Sequence, residues 1–252
     1  MDLTQFLPLP ELLDAKSVLC VMPHPDDNEI GAGGTIARLV DAGAKVTYLG
    51  VTDGGAGTLD PNLKRADVAR IRRGEQETAA AALGVSELIW LDYPDAVGLP
   101  AAELRQRIIG VIRQVRPDFV LTVDPWLPYE AHPDHRAVGL AVAEAALLSG
   151  FPNIHPEHLD GGVEPHAVTA VAFYATAAPN RYVAIDATWE RKLAAIQKHA
   201  SQFSETDWQL LVAYLDMKAQ ELAAKAGVGA RAEGFKVLTP TYLHMCVDTV
   251  EC

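Results

Sequence analysis

The sequence predicts an α/β protein with a mainly parallel sheet flanked by helices. Short apolar runs alternate with segments of helical periodicity along residues 15–150, and such alternation is typical of parallel strands joined by right-handed crossovers. The chain has 252 residues, of which 49% are hydrophobic, so one domain can bury its core without disulfides or a structural metal. Neither an internal repeat nor a long charge block marks a second domain.

The first four strand–helix units follow directly from these patterns. Residues 17–22 form an uninterrupted apolar run typical of a buried strand, and residues 30–42 have the apolar spacing of a helix. Residues 45–51 predict a second strand, followed by a glycine-rich loop. Residues 65–83 predict a helix that ends at Gly84, a residue suited to a helix C-terminus. Strands at 88–91 and 118–123, each followed by a helix, at 101–115 and 136–148, complete a Rossmann-like core.

The remaining third of the chain is less regular. Residues 149–165 are rich in Gly, Pro, His and Asp and predict an irregular loop. Strands are expected at 168–174 and 182–185, and helices at 189–202 and 207–226. The tail at 235–238 and 241–247 has the composition of extended chain. We expect residues 166–252 to complete a single domain that spans residues 1–252.

Composition excludes several functional classes. The formal net charge of −12 argues against binding to nucleic acids or to an anionic membrane surface. The sequence contains neither an apolar run of about 20 residues that could span a bilayer nor a basic and apolar start typical of a secretory signal. Three cysteines are too few and too scattered for a disulfide framework. A cytoplasmic protein is expected.

Two turns concentrate the chemically active side chains. The turn after the first predicted strand and the turn after the fourth carry matching residue types: His24, Asp26 and Asp27 in the former, and His132, Asp134 and His135 in the latter. In a sheet ordered 3-2-1-4-5 these strands are neighbours, and their outgoing connections diverge to leave a crevice at their carboxyl ends. The two turns are therefore expected to meet.

The pooled side chains suit metal-assisted hydrolysis. Two imidazoles and one carboxylate form a three-ligand zinc site with a fourth position for water, whose pKa zinc lowers to about 7. A further carboxylate can act as general base and a further histidine as general acid. Hydrolysis of an amide or ester is the reaction class that these residues indicate.

The acids of the first turn and the glycines that follow them allow two other interpretations. The acids of the first turn could simply cap a helix, although a cap explains only one of them. A dinucleotide-binding site is faintly suggested by the glycines at 31, 33 and 34 and by Asp53, but Ile36 replaces the third glycine of that pattern. Acids at the helix start would also repel a pyrophosphate. A non-hydrolytic nucleotide- or metal-binding protein is therefore the alternative from another class.

The motifs resemble those of one enzyme family. His24-Pro25-Asp26-Asp27 followed by Glu29 is similar to the His-Pro-Asp-Asp-Glu signature of LmbE-like (PIG-L-type) zinc N-deacetylases, with Asn28 inserted. The resemblance continues at residues 52–54, 72–75, 132–135, 199–202 and 232–235, and so covers nearly the whole chain. Residues 124–130 are especially similar to the archaeal diacetylchitobiose deacetylases.

This resemblance implies a role for each motif residue. His24, Asp27 and His135 would bind one Zn²⁺ per chain, and Asp26 would be the general base. His132 would stabilise the oxyanion or protonate the amine, while Asp134 would orient a histidine. Contacts with the sugar are expected from four residues, Arg72, Asp124, Trp126 and His244, and the last is a candidate to reach the sugar across a subunit interface.

For Arg72 a solvated helix face is an equal alternative, because Arg70 and Arg73 are basic too. Trp126 could instead belong to the rim of the core, although aromatic platforms beside polar groups are typical of sugar sites. We interpret the other histidines as ordinary loop or helix residues, namely His155, His158, His166 and His199.

The implied activity is removal of the N-acetyl group from an N-acetylglucosamine-type sugar, either the monosaccharide or a short chitooligosaccharide such as diacetylchitobiose. The alternative within the family is a thiol-cofactor precursor such as N-acetylglucosaminyl malate. The resemblance further implies a homo-oligomer, a trimer or a hexamer.

Overall fold

A computed structural model describes residues 3–247 and 249–250, and its centre is a seven-stranded sheet in the order β3-β2-β1-β4-β5-β7-β6. The strands are β1 (Ser17–Met22), β2 (Lys45–Thr52), β3 (Glu87–Tyr93), β4 (Phe119–Val123), β5 (Ala170–Tyr174), β6 (Arg181–Ala184) and β7 (Ala232–Leu238). The first five are parallel to one another, and β7 runs antiparallel between β5 and β6. The predicted α/β class and the strand order 3-2-1-4-5 are confirmed.

Helices cover both faces of this sheet. They are α1 (Leu3–Phe6), α2 (Asp27–Asp41), α3 (Arg65–Leu83), α4 (Ala101–Val115), α5 (Pro133–Leu148), α6 (Trp189–Ile196), α7 (Glu205–Ala226) and α8 (Pro240–His244). Within the described residues no helix is long and apolar enough to cross a membrane.

The side chains of β1 point alternately to the two faces of the sheet, and a separate core layer lies on each face. Successive side chains of a strand point to opposite faces. Cys20 and Met22 therefore pack with Ile36 of α2 on one face, whereas Leu19 and Val21 belong to the core on the other face, beneath α4 and α5. Because all residues of β1 from Val18 to Met22 are buried, an uninterrupted apolar run is what this central strand requires.

The strand order creates the crevice on which the site depends. Val18 of β1 is in register with Val46 of β2 on one side and with Phe119 of β4 on the other, both in parallel pairing. From their carboxyl ends the chain continues into α2, on the face of Ile36, and into α5, on the opposite face. This reversal of direction is a topological switch point, where open α/β sheets bind ligands.

The C-terminal part of the chain is anchored to α2 through a buried ion pair. Lys192 of α6 lies 2.5 Å from Glu233 of β7 and also donates to the carbonyl of Ile30. The Glu233 carboxylate accepts the backbone N–H groups of Gly34 at 3.0 Å and Thr35 at 2.7 Å. Residues remote in sequence thus hold the backbone of the helix that follows the first motif.

Two predictions for the C-terminal part were wrong. Residues 241–244 are helical rather than extended, because Thr239 caps α8 by accepting the N–H of Tyr242 and Pro240 occupies its first position. The helix predicted over 189–202 ends at Ile196. Beyond it the chain turns so that Ser201 can bind Glu75 and Gln202 can donate to the carbonyl of Gly57.

Candidate active site

The turn between β1 and α2 holds Asp26 in an unusual backbone conformation. Its φ of 105° lies in the left-handed region, which a non-glycine residue adopts only when its surroundings enforce it. The Asp26 N–H donates to Oε1 of Gln76 at 3.0 Å, and its carboxylate pairs with Nη2 of Arg72 at 3.1 Å. Helix capping therefore does not account for this side chain.

The turn between β4 and α5 presents the second motif at the start of a helix. His132 is the N-cap residue of α5, and Pro133 follows at the first helical position. Nδ1 of His132 accepts the backbone N–H of Asp134 at 3.3 Å. This hydrogen bond assigns the proton of the neutral ring to Nε2, which can therefore donate.

The two turns meet as the topology predicts. Oδ2 of Asp27 lies 3.3 Å from Nδ1 of His24, and Oδ1 of the same carboxylate lies 3.4 Å from Nε2 of His135. The rings of His24 and His132 are 4.5 Å apart between centroids. Residues separated by more than a hundred positions thus share one cluster.

Each contact of Asp27 with a histidine has the length expected between neighbouring zinc ligands. Bonds of about 2.0–2.1 Å to nitrogen and oxygen place such ligand atoms roughly 3.3–3.4 Å apart. The distances of 3.3 Å to His24 and 3.4 Å to His135 have this length, and they are made by the two different oxygens of the Asp27 carboxylate. The donor set of two imidazoles and a carboxylate also suits zinc.

Two groups of three residues in the described part of the chain have one ligand atom per residue within 4.8 Å of one another. One joins His24 with His132 and His135, and the other joins His24 with Asp95 and Asp134. Neither group contains Asp27. His24 belongs to both groups and also contacts Asp27, so it is the donor that these arrangements share.

The surroundings of the two adjacent acids shift their pKa values in opposite directions. Burial raises the pKa of the Asp26 carboxyl to about 7, assisted by the charge of Asp27 and opposed by Arg72. Burial would raise the pKa of Asp27 as well, but hydrogen bonds from His135 and His24 hold it far below its usual range. A residue with a pKa near neutrality can act as a general base, whereas Asp27 remains ionised.

The pKa values of His24 and His132 are also shifted in opposite directions. Burial alone would lower the pKa of His24, but hydrogen bonds with Asp134, Asp27 and Asp95 raise it to about 11. Burial lowers the pKa of His132, and the positive charges of His24 and His135 lower it further. In this cluster His132 is therefore neutral at pH 7.

Most of the predicted residues line a single cavity of about 360 Å³. Its walls carry His24, Asp26, Asp27, Arg72, Asp95, His132 and His135, together with residues 56, 57 and 96. Asp134 is buried beside the cluster, with Oδ2 at 3.4 Å from Nε2 of His24.

The four residues predicted to contact the sugar do not line one common cavity. Arg72 is only 4% exposed, so the solvated-face interpretation is wrong. Besides Asp26 it binds the carbonyls of Pro25 and Gly54, at 2.6 and 3.1 Å. Asp124 and Trp126 line a second cavity of about 390 Å³ beside α8. His244 is exposed and is not among the described residues that line either cavity.

Sequence reasoning missed Asp95 and Glu130. Asp95 follows β3 and lies 3.2 Å from Nε2 of His24, and Glu130 lies 3.1 Å from Nδ1 of His135. For Asp95 a signal existed, because β3 ends at the same edge of the sheet as β1 and β4. Glu130 is the last residue of the stretch 124–130 that resembles the archaeal deacetylases. The direction of its side chain depends on a turn that the sequence does not specify.

His199 lies in the turn after α6, but it has surroundings that the sequence did not indicate. It is fully buried and lies 3.5 Å from Glu29 of α2. Gln76 links this pair to the first motif, because its amide donates to Glu29 at 2.9 Å while its carbonyl accepts the N–H of Asp26. A buried polar chain thus extends from the site into the core.

Comparison with known proteins gives consistent matches. The family model for PIG-L, GlcNAc-PI de-N-acetylase, matches residues 19–146. A diacetylchitobiose deacetylase from Thermococcus kodakarensis is 43% identical over 233 residues, which cover 92% of this chain and 87% of that protein. A Bacillus cereus protein named "Probable N-acetyl-alpha-D-glucosaminyl L-malate deacetylase 2" is 31% identical over 193 residues, covering 74% and 84%.

A solved structure agrees over the whole fold. The N,N'-diacetylchitobiose deacetylase from Pyrococcus horikoshii, complexed with its inhibitor MPG, matches with a TM-score of 0.92 at 39% identity. The match covers 100% of this chain and 98% of that one.

Proposed function

Because the chain belongs to the PIG-L family, we propose that it is a zinc-dependent deacetylase that removes an N-acetyl group from diacetylchitobiose or a related N-acetylglucosamine-type sugar. The observation that carries this proposal is the arrangement around Asp27. Its carboxylate contacts two histidines at the spacing of metal ligands, and the next carboxylate, that of Asp26, faces the same cavity.

In this proposal His24, Asp27 and His135 hold the ion. Zinc bound there would supply Lewis acidity and a water of lowered pKa, about 7. We assign the ligand role to Asp27 rather than His132, because Asp27 contacts both other ligands and stays ionised, whereas Nδ1 of His132 is occupied by the N–H of Asp134.

Asp26 and His132 then divide the proton transfers. Asp26, with its pKa near 7, accepts a proton from the attacking water as the new C–O bond forms. The Nε2–H of neutral His132 donates a hydrogen bond to the carbonyl oxygen as negative charge develops there. The proton held by Asp26 then passes to the nitrogen as the C–N bond breaks, which releases acetate and a free amine.

Arg72 and Asp134 support these groups. Arg72 fixes the Asp26 carboxylate and the adjoining backbone through its bonds to Pro25 and Gly54. Asp134 joins two of the three histidines of the site, because its carboxylate contacts His24 and its backbone N–H donates to His132. This supports its proposed role as an orienting residue.

The similarity to known deacetylases and the size of the cavity support the choice of substrate. A cavity of about 360 Å³ lies within the usual range for a small ligand, roughly 300–1,000 Å³. The relative named for diacetylchitobiose is 43% identical, whereas the one named for the malate glycoside is 31% identical. We therefore place diacetylchitobiose first and the malate glycoside second.

The test measures metal content and acetate release together. The purified protein is assayed on N-acetylglucosamine, diacetylchitobiose and N-acetylglucosaminyl malate, before and after chelation and after zinc is restored. We expect about one metal per chain and acetate release that chelation abolishes and zinc restores. Bound metal without acetate release from any of the sugars would contradict the substrate class, and chelator-resistant release would contradict the metal role.

A further inference from the structure

Glu130 contacts both histidines of the second motif. Its Oε1 accepts the backbone N–H of His132 at 2.7 Å, and its Oε2 lies 3.1 Å from Nδ1 of His135. The side chain is sheltered, with 18% of its surface exposed. One carboxylate therefore binds the N-cap backbone of α5 and a ring in its first turn.

The contact at Nδ1 determines what His135 offers at its other nitrogen. A neutral imidazole has one N–H and one lone pair. Carboxylates face both nitrogens of His135, with Glu130 3.1 Å from Nδ1 and Asp27 3.4 Å from Nε2. When the lone pair of Nε2 binds a cation, the proton is on Nδ1, where Glu130 accepts it. Metal-ligating histidines generally donate their second ring N–H in this way.

His24 has the same arrangement with its nitrogens exchanged. Its Nδ1 faces Asp27, and its Nε2 lies 3.2 Å from Asp95 and 3.4 Å from Asp134. Each proposed histidine ligand therefore has Asp27 at one nitrogen and an outer carboxylate at the other. Glu130 is the outer carboxylate of His135.

We infer that Glu130 is a positioning residue that keeps the proton of His135 on Nδ1 and thereby strengthens metal binding at Nε2. This inference rests on the proposed metal site. Glutamine cannot replace Glu130, because its single carbonyl oxygen can accept from only one of the two N–H groups and its amide would meet the other. Aspartate keeps the charge but is one methylene too short to span both donors.

The test compares zinc dissociation constants of the full chain, measured by competition with a chromophoric chelator. We expect Glu130→Gln and Glu130→Asp to bind zinc about 10- to 100-fold more weakly than the wild type. The control is Glu144→Gln, which changes an exposed carboxylate of α5 that pairs with Arg105 at 2.9 Å. Its zinc affinity is expected to equal that of the wild type.

Two further readouts separate positioning from a general loss of structure. Thermal unfolding of the metal-free proteins should show that the Glu130 variants and the control are all folded at the temperature of the zinc titration. Proton NMR of the zinc-loaded wild type should show a low-field imidazole N–H signal, assigned to His135 by selective labelling, that is weakened or lost in Glu130→Gln.

The outcomes are distinct. A zinc affinity of Glu130→Gln within twofold of the wild type overturns the inference while leaving the proposed function intact. Wild-type affinity in Glu130→Asp overturns it too, since charge alone would then suffice. If Glu130→Gln fails to fold, Glu130→Asp carries the same comparison. A wild type that binds no zinc overturns the proposed function itself.

Discussion

The guanidinium of Arg72 lies 3.1 Å from the carboxylate of Asp26, and both side chains are largely shielded from solvent. The same guanidinium binds the carbonyls of Pro25 and Gly54. Arg72 therefore ties the β1–α2 turn, which carries the proposed general base, to the glycine-rich loop after β2.

Asp26→Asn is expected to keep zinc and to lose turnover. Asparagine preserves the size of the side chain but cannot accept the proton from water. We expect kcat on diacetylchitobiose to fall by about 10²- to 10⁴-fold, the usual contribution of a general base. Steady-state kinetics together with metal analysis checks this. Undiminished turnover would remove Asp26 as the base.

His135→Ala is expected to lose the metal instead. Removal of one of three protein ligands leaves a site with one imidazole and one carboxylate, too few for a stable zinc site. Metal content after dialysis should fall far below that of the wild type, and acetate release should fall with it. Full zinc occupancy in this variant would show that the ligand set is assigned wrongly.

Arg72→Lys is expected to lower turnover although the charge is kept. A single ammonium cannot reproduce the planar geometry by which Arg72 reaches Pro25, Gly54 and Asp26. Misplacement of the base by about 1 Å can cost roughly 10²-fold in rate. Arg70→Lys is the matched control, since Arg70 lies exposed on the same helix. Equal kcat in the two variants would contradict a positioning role for Arg72.

Glu233→Ala is expected to destabilise the fold by about 3–5 kcal/mol, because it leaves the buried ammonium of Lys192 without its partner. Denaturant unfolding measures this loss. Asp41→Ala is the comparison, since Asp41 pairs with Arg191 at the surface, where ion pairs contribute at most about 1 kcal/mol. A similar small loss in both variants would show that the buried pair is not needed for stability.

The sequence was most informative where chain order alone brings residues together. Once β1 and β4 are recognised as parallel neighbours, the proximity of His24 to His135 follows from topology, and the structure confirms the strand order. The helices at 65–83 and 101–115 were also predicted with their observed bounds, and Gly84 marks the end of the first.

Contacts that depend on side-chain direction could not be predicted. Glu130 reaches His135 only because the chain turns back before α5, and His199 reaches Glu29 only because α6 ends early. Nor could the helical start of the C-terminal tail be predicted from its extended composition, since it depends on the cap at Thr239. Local turns and caps, rather than periodicity, determine each of these cases.

The ion pair between Lys192 and Glu233 has a consequence for how this protein can be divided. The proposed metal ligands and general base all lie between His24 and His135, in the first half or so of the sequence. Yet the helix beginning at Asp27 is held at Ile30, Gly34 and Thr35 by residues from the last quarter of the chain. A fragment ending near residue 150 would contain every proposed reacting group without the scaffold that keeps α2 in place. Engineering that aims at a minimal catalyst must therefore retain the C-terminal strands, even though none of their residues is proposed to react.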